Sequence, residues 1–497
     1  MRADAADDRL RSNVHPPDWI NPEPRGRYHL AVVGGGTAGL VSALGAVGLG
    51  ARVALVERAL LGGDCLITGC VPSKAIVRSA RAAADARRAG SVGVNVAGVE
   101  ADFGAVMHRM RERRADISPH DSASRLRSAG VDVYFSEARF TSRSTIDVGG
   151  RTLSFRRAVI ATGGHPAVPP IPGLSSVPYL TNETLFSLTG LPRRLAIVGA
   201  GPIGCEMAQA FARLGSVVTL VEQAPRVLPE EDADAAALVA ARMTSDGVTL
   251  VLNASVVGVR PHGEDIVVRV GQGGGDREHT CDRLLVAAGR APNVGDLDLA
   301  AAGVAFDKTG VIVDDRLRTS NPRIYAAGDV CSPFKFTHAA DAMARIVVQN
   351  ALFFGRARAS GLVIPWCTYT DPEVAHVGWY ADAARRKGHR VDTITVPLAD
   401  VDRAVVDEEL GGFVRVHHER GRLLGCTVVS SRAGEMIGVP THALTHGASL
   451  NDFGATIHPY PTLTNAFRAA GDVYRRSRLT PRIRALLQRY FQLLGKM

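Results

Sequence analysis

The same local grammar occurs twice in this chain, and a folding unit repeated in this way leaves few architectures open. In the first copy a short apolar strand, His29-Leu30-Ala31-Val32-Val33, runs into Gly34-Gly35-Gly36-Thr37-Ala38-Gly39, and a second strand, Arg52-Val53-Ala54-Leu55-Val56, ends in Glu57. The second copy reads Leu195-Ala196-Ile197-Val198, then Gly199-Ala200-Gly201-Pro202-Ile203-Gly204, then Val217-Val218-Thr219-Leu220-Val221 ending in Glu222. Both glycine runs fit G-x-G-x-x-G, with Gly34, Gly36 and Gly39 in one and Gly199, Gly201 and Gly204 in the other. Strand, glycines, helix, strand and acid in that order form a dinucleotide-binding unit. The glycines permit a tight turn and close backbone approach to a pyrophosphate at the helix start, and the carboxylate accepts hydrogen bonds from ribose hydroxyls. Two such units predict an α/β fold with two Rossmann-like domains and two bound dinucleotides.

With 497 residues the chain has material for roughly three domains, so a third module is expected beside the two nucleotide units. Leu30–Ala51 is a 22-residue stretch without a charged side chain, long enough to resemble a membrane span. Its short strand, its break at Gly34-Gly35-Gly36 and its Gly- and Ala-rich continuation read instead as a buried strand-turn-helix. Residues Met1–Asp18 are mixed in charge and lack the apolar core of a signal peptide. Seven cysteines, sparse and odd in number, fit a reducing compartment, and the expected location is the cytoplasm.

Two of those cysteines carry the chemistry. Cys65 and Cys70 lie in Gly62-Gly63-Asp64-Cys65-Leu66-Ile67-Thr68-Gly69-Cys70-Val71-Pro72-Ser73-Lys74, shortly after the first glycine turn. A C-x-x-x-x-C pair also suits half a zinc site, but Cys205, Cys281, Cys331, Cys367 and Cys426 are scattered singly and supply no second half. Thiolates are nucleophilic, soft and reversibly oxidised to a disulfide, so a dithiol beside a nucleotide site points to a redox enzyme. A flavin dinucleotide is then the natural occupant of the first unit and a nicotinamide dinucleotide of the second. Glu222 would repel a 2′-phosphate, which favours NADH over NADPH, although Arg226 follows closely. Three further glycine exits, Ala161-Thr162-Gly163-Gly164, Ala288-Gly289-Arg290 and Ala327-Gly328-Asp329, are interleaved with the two units and suit loops closing over nucleotides.

After Phe354 the texture changes. Alternating runs such as Phe413-Val414-Arg415-Val416 and Leu423–Val429 predict an antiparallel sheet, with helices over Ala433–Gly447 and Leu463–Arg475, a separate α+β module. The formal net charge is +9, but Gly471–Met497 holds seven Lys or Arg against one Asp, so the charge is concentrated in a tail and argues against a nucleic-acid partner. Pro481–Leu494 has a basic, amphipathic helical pattern that suits packing on its own protein or contact with a membrane or partner.

Taken together, residues 28 to 475 resemble the class I pyridine nucleotide-disulfide oxidoreductases, the group that includes dihydrolipoamide dehydrogenase, glutathione reductase and mercuric reductase. The resemblance implies an N-terminal extension (1–27), an FAD-binding domain in two parts (28–173 and 293–358) around an NAD(P)H-binding domain (174–292), a dimerisation domain (359–475) and the basic tail (476–497), assembled as a homodimer. It implies that Cys65 meets the substrate and Cys70 faces the flavin, that Lys74 lies near the flavin with Glu206 as its partner, and that Glu57 and Asp329 bind the FAD ribose and ribitol. Thr162 and Gly163 belong to one of the loops expected to close over a nucleotide, and Gly289 and Arg290 would lie along the nicotinamide nucleotide.

Departures from the family pattern bear on the substrate. Pro202 stands where some members carry a tyrosine lid over the flavin. Members that reduce organic disulfides end in His-Pro-Thr-x-x-Glu, whose His is the acid and base for the leaving thiol; here Ile457-His458-Pro459-Tyr460-Pro461-Thr462-Leu463-Thr464-Asn465 puts Tyr460 in the His place and Asn465 in the Glu place. A tyrosine, with an ordinary pKa of about 10, is a poor base at neutral pH, and general acid-base help is worth about 10² to 10⁴ in rate. A soft metal ion held by two thiolates needs no such proton, and mercuric reductases carry tyrosine here, so the expected substrate is a metal ion such as Hg(II) bound by Cys65 and Cys70. No cysteine follows Cys426 to form the C-terminal pair of well-characterised mercuric reductases. Dihydrolipoamide dehydrogenase or another disulfide reductase, with His458 as base, is the alternative, and a flavoprotein carrier or sensor docked by the basic tail is a second.

Overall fold

The computed structural model of the protein describes residues 4–495. Residues up to Leu228 together with Met243–Leu362 make one compact unit, and Pro229–Arg242 with the residues from Val363 onward make another.

The first unit holds two parallel sheets. In one, Val131–Phe135, Val53–Glu57, Tyr28–Val33 and Arg151–Ile160 lie side by side in that order, and Ile324–Ala326 pairs with the far edge of Arg151–Ile160. Thr145–Val148 and Ala138–Ser142 continue it as antiparallel strands. The register sets Leu30 opposite Val53 on one side and Arg157 on the other. Along Tyr28–Val33, Leu30 and Val32 enter one apolar cluster while Ala31 and Val33 enter another. From Leu30 to Val33 the strand is covered on both faces, which is why this run is apolar at every position and shows no alternation.

The second parallel sheet is ordered Val248–Val251, Val217–Val221, Arg194–Val198, Arg283–Val286 and Tyr179–Leu180, and all of it falls between the first sheet's Arg151–Ile160 and Ile324–Ala326. A three-stranded antiparallel sheet, Ala254–His262, Asp265–Gln272 and Gly275–Cys281, is appended to it. Leu30–Ala51 becomes the strand Tyr28–Val33 and the helix Thr37–Gly48, and no helix of the described residues is long and apolar enough to cross a membrane.

The N-terminal extension is part of this unit. Asp4 caps a helix over Ala5–Val14 that buries Leu10 and Val14, and Arg114 and Arg9 pair with Asp7 and Asp116 across to the helix Phe103–Ile117. Part of its mixed charge is thus engaged in ion pairs with that neighbouring helix.

The second unit is built on a five-stranded antiparallel sheet in the order Pro365–Thr368, Glu373–Gly378, Arg422–Ser430, Phe413–Glu419 and Asp392–Pro397. The helix expected over Ala433–Gly447 is split into Ala433–Met436 and Gly438–Thr445, with Pro440 in the first turn of the second piece, where its missing N–H costs nothing. The next long helix is Asn465–Ser477, two residues later than the pattern suggested, and Pro481–Leu494 forms the tail helix. Residues 229–242, which sequence continuity assigns to the nucleotide module, group with this unit: Arg415 pairs with Asp232 and Asp234, and Glu231 accepts from Trp366 Nε1 at 2.8 Å.

Candidate active site

Cys65 lies in the short helix Gly63–Ile67, entered through Gly62 and Gly63, both at positive φ (90° and 55°), where a side chain would be strained. Cys70 is the first residue of the helix Cys70–Arg88. Its Sγ lies 3.5 Å from the Thr337 hydroxyl, at the start of the helix Thr337–Leu352. All seven cysteines are free thiols. A hydrogen bond from Cys65 pulls the Cys70 thiol down to about 6, with Thr337 and the Lys74 charge adding to the pull against burial. Cys65 moves upward, as the donor in that bond and through burial. The two sulfurs are therefore differentiated: Cys70 holds the negative charge and Cys65 keeps the proton.

Lys74 stands one turn beyond Cys70 on the same helix face. Its Nζ meets Glu206 Oε1 at 3.0 Å and Oε2 at 2.8 Å. Glu206 is supplied by Pro202–Leu214, the helix that follows the second glycine motif.

The two nucleotide motifs are built alike. Glu57 accepts from the backbone N–H groups of Gly35 (2.6 Å) and Ala59 (2.7 Å), and Glu222 from those of Ala200 (2.6 Å) and Ala224 (2.8 Å). In each motif the outer glycines are demanded by the protein itself. A Cβ on Gly39 would collide with the Gly34 carbonyl, and one on Gly204 with the Gly199 carbonyl. The middle glycines differ: a Cβ on Gly201 would meet nothing within 4 Å, and one on Gly36 only Gly63 Cα at 3.8 Å. The open space beside Gly36 and Gly201, at the starts of the helices Thr37–Gly48 and Pro202–Leu214, fits a pyrophosphate approaching the backbone. The residues present thus suit one dinucleotide at each motif.

Around Asp329 the structure adds contacts that the motifs did not reveal. The Arg290 guanidinium pairs with Asp64 and, at 3.5 Å, with Asp329, and donates to the Gly164 carbonyl at 3.0 Å. It therefore bridges Asp64, next to Cys65, and Asp329. Burial pushes the Asp329 carboxyl up. Thr162 and Asn293 exchange hydrogen bonds, each 2.8 Å, which fixes the loop at Gly163. Asn182 donates to Asp64 and to the Thr68 carbonyl, both at 3.3 Å. Thr337, Asn293 and Asn182 lie far from the glycine motifs in sequence, and no local pattern marks them.

His458, Tyr460 and Asn465 belong to the second unit. The Tyr460 hydroxyl donates to Asp402 Oδ2 at 2.9 Å, and that carboxylate pushes the phenol pKa up. Asn465 donates its amide to the carbonyls of Pro459 and Thr462 and so fastens the loop that carries Tyr460. His458 is held neutral by burial, with Arg468 adding to the effect, and its Nε2 is buried without a hydrogen-bond partner among the described residues.

The pyridine nucleotide-disulphide oxidoreductase profile matches residues 28–344, and the dimerisation domain of the same family matches residues 364–470. The chain belongs to this family. Its members use FAD and NAD(P)H, and the presence of the family's dimerisation domain supports a homodimer. It is 34% identical over 446 residues to a mercuric reductase of Lysinibacillus sphaericus, covering 89% of this chain and 82% of the relative. It is also 34% identical over 452 residues to a dihydrolipoyl dehydrogenase of Thermus scotoductus, covering 90% and 97%. Among solved structures, the HOCl-induced flavoprotein disulfide reductase RclA of Escherichia coli superposes with a TM-score of 0.79 at 28% identity, over 90% of this chain and 99% of that one. A Cu(II) complex of RclA superposes with the same TM-score at 27% identity.

Proposed function

We propose that this flavoprotein passes an electron pair from NADH to the Cys65–Cys70 disulfide and on to a thiophilic metal ion such as Hg(II). The observation that carries the reading is the state of Tyr460: its hydroxyl donates to Asp402, and that carboxylate raises its pKa, so the phenol is a poor proton donor to a departing sulfur near neutral pH. Reduction of an organic disulfide requires a proton for the departing sulfur, whereas a metal ion bound by two sulfurs requires none. The mercuric reductase relatives and the Cu(II) complex of a structural neighbour support a soft-metal substrate.

Bound FAD would supply hydride acceptance from NAD(P)H and two-electron reduction of the disulfide. Gly36 and Glu57 would hold its pyrophosphate and ribose, Asp329 its ribitol, and Gly201 and Glu222 the nicotinamide dinucleotide. Glu222, fixed by two backbone N–H groups, places a carboxylate where a 2′-phosphate would sit, which supports NADH as the donor. Lys74, charge-balanced by Glu206, holds positive charge beside the Cys70 thiolate. Cys65, the protonated sulfur, is the one that meets substrate, and its loss of a proton completes a two-sulfur ligand set for the metal ion. The Cys65 proton passes to water, and as the two sulfurs join again in the Cys65–Cys70 disulfide their electron pair reduces the bound Hg(II) to Hg(0). The free, sparse thiols suit a cytoplasmic location.

Disulfide reduction is the second reading. His458 favours it, because a neutral ring with an unpartnered Nε2 can accept a proton. Purified FAD-loaded protein assayed with NADH and NADPH side by side against Hg(II), lipoamide and glutathione disulfide separates the two. NADH-dependent Hg(II) turnover exceeding disulfide turnover supports the first reading; strong lipoamide turnover that requires His458 and survives Tyr460→Phe overturns it.

A further inference from the structure

The tail helix Pro481–Leu494, capped by Thr480, buries no residue. At 100° per residue, Ile483, Leu486, Leu487, Tyr490, Phe491 and Leu494 fall within one arc of about 140°. Their exposures run from 41% at Leu487 to 68% at Leu486. Such a continuous apolar stripe left in water marks an interaction surface.

Three features of the helix identify what covers that stripe. Arg484 borders the stripe on one side and Arg482 and Arg489 lie beyond its other edge, while Gln488 and Gln492 occupy the opposite face. No Asp or Glu occurs from Val473 to Met497. A second copy of the helix would bring cation against cation with no carboxylate to relieve them, whereas lipid phosphates supply the missing anions. Tyr490 and Phe491 place aromatic rings in the stripe, the residue type suited to the boundary between headgroups and acyl chains. At 14 residues the helix is about 21 Å long, too short to span a bilayer and suited to lying in its surface.

We propose that Pro481–Leu494 is an interfacial anchor that binds the enzyme to an anionic lipid surface, its apolar stripe inserted at the headgroup boundary and its arginines on lipid phosphates. This holds whichever substrate the dithiol reduces, and it would concentrate the enzyme at a membrane without a membrane-spanning segment.

The test is flotation of FAD-loaded full-length protein with vesicles of phosphatidylcholine alone and of phosphatidylcholine with roughly one third phosphatidylglycerol. Binding to the anionic vesicles alone is expected, weakened by salt near 0.5 M. The Leu487→Glu/Phe491→Glu variant should lose at least about tenfold in partitioning, and so should the Arg482→Gln/Arg484→Gln/Arg489→Gln variant, while dimer mass and NADH turnover in solution stay unchanged. Absence of binding, equal binding to both vesicle types, or conversion of the dimer to monomer by the apolar substitutions would overturn the proposal; the last would make a second copy the occupant.

Discussion

Lys74 Nζ lies 2.8 Å from Glu206 Oε2, and the carboxylate is 4% exposed while the lysine side chain remains 35% exposed. This pair ties the helix that begins at Cys70 to the helix that begins at the second glycine motif. Lys74→Met removes the cation from a buried carboxylate, and the expected loss is roughly 1–3 kcal/mol, less than for a fully buried pair because water reaches the lysine. Glu206→Gln, which keeps an acceptor oxygen, should cost less. Denaturant unfolding of both variants checks the order.

The inequality of the two sulfurs predicts distinct spectra. With Cys70 lowered to about 6, its thiolate forms as pH rises through that value and is lost as pH falls below it. Reduced enzyme should therefore show thiolate-to-flavin charge-transfer absorbance above that pH. Cys70→Ala should abolish the band and Cys65→Ala should retain it; a band that persists without Cys70 reverses the assignment.

The glycines separate folding from binding. Gly204→Ala and Gly39→Ala drive a methyl into a backbone carbonyl and should lower the melting temperature. Gly201→Ala meets open space and an extended backbone (φ −71°, ψ −175°), so the fold should be intact while the KM for NADH rises about tenfold. Thermal melts beside steady-state kinetics distinguish the two effects.

Much of this was written locally in the chain. Strand, G-x-G-x-x-G and terminal Glu are contiguous, so both nucleotide units and the positions of Glu57 and Glu222 were readable directly. Lys74 and Glu206, 132 residues apart, were paired only through the family resemblance, and the structure joins them. Asn182, Asn293, Thr337 and Asp402 had no such guide, because each acts through one side chain brought close by the fold. The grouping of residues 229–242 with the C-terminal sheet was likewise invisible: it rests on Asp232, Asp234 and Glu231 meeting Arg415, Trp366 and Tyr380 from over a hundred residues away. The pairing of Arg290 with Asp64 and Asp329 was equally unmarked, since no motif connects the three residues.

The C-terminal sheet carries an acid-sensitive element. Burial lowers His376 to about 3 and His417 to about 4; the His376 ring stacks on Tyr380 at 3.7 Å, and Nδ1 of each ring faces a threonine hydroxyl. The folded pKa values lie below the unfolded value of 6.5, so the unfolded chain binds more protons between them. The stability these neutral rings contribute is complete above pH 6.5 and is lost as pH falls toward 4. Proton uptake on unfolding at pH 5, greater than in a His417→Gln variant, is the expected calorimetric result.

In the proposed reaction the Cys65–Cys70 couple delivers electrons to an ion that needs no proton shuttle. The most direct measurement is the ratio of kcat/KM for Hg(II) to that for lipoamide, taken with NADH in the parent enzyme and in His458→Asn. The predicted result is a ratio well above one, with Hg(II) turnover unaffected by the substitution and abolished in Cys65→Ala. A ratio below one, with lipoamide turnover collapsing in His458→Asn, would contradict it.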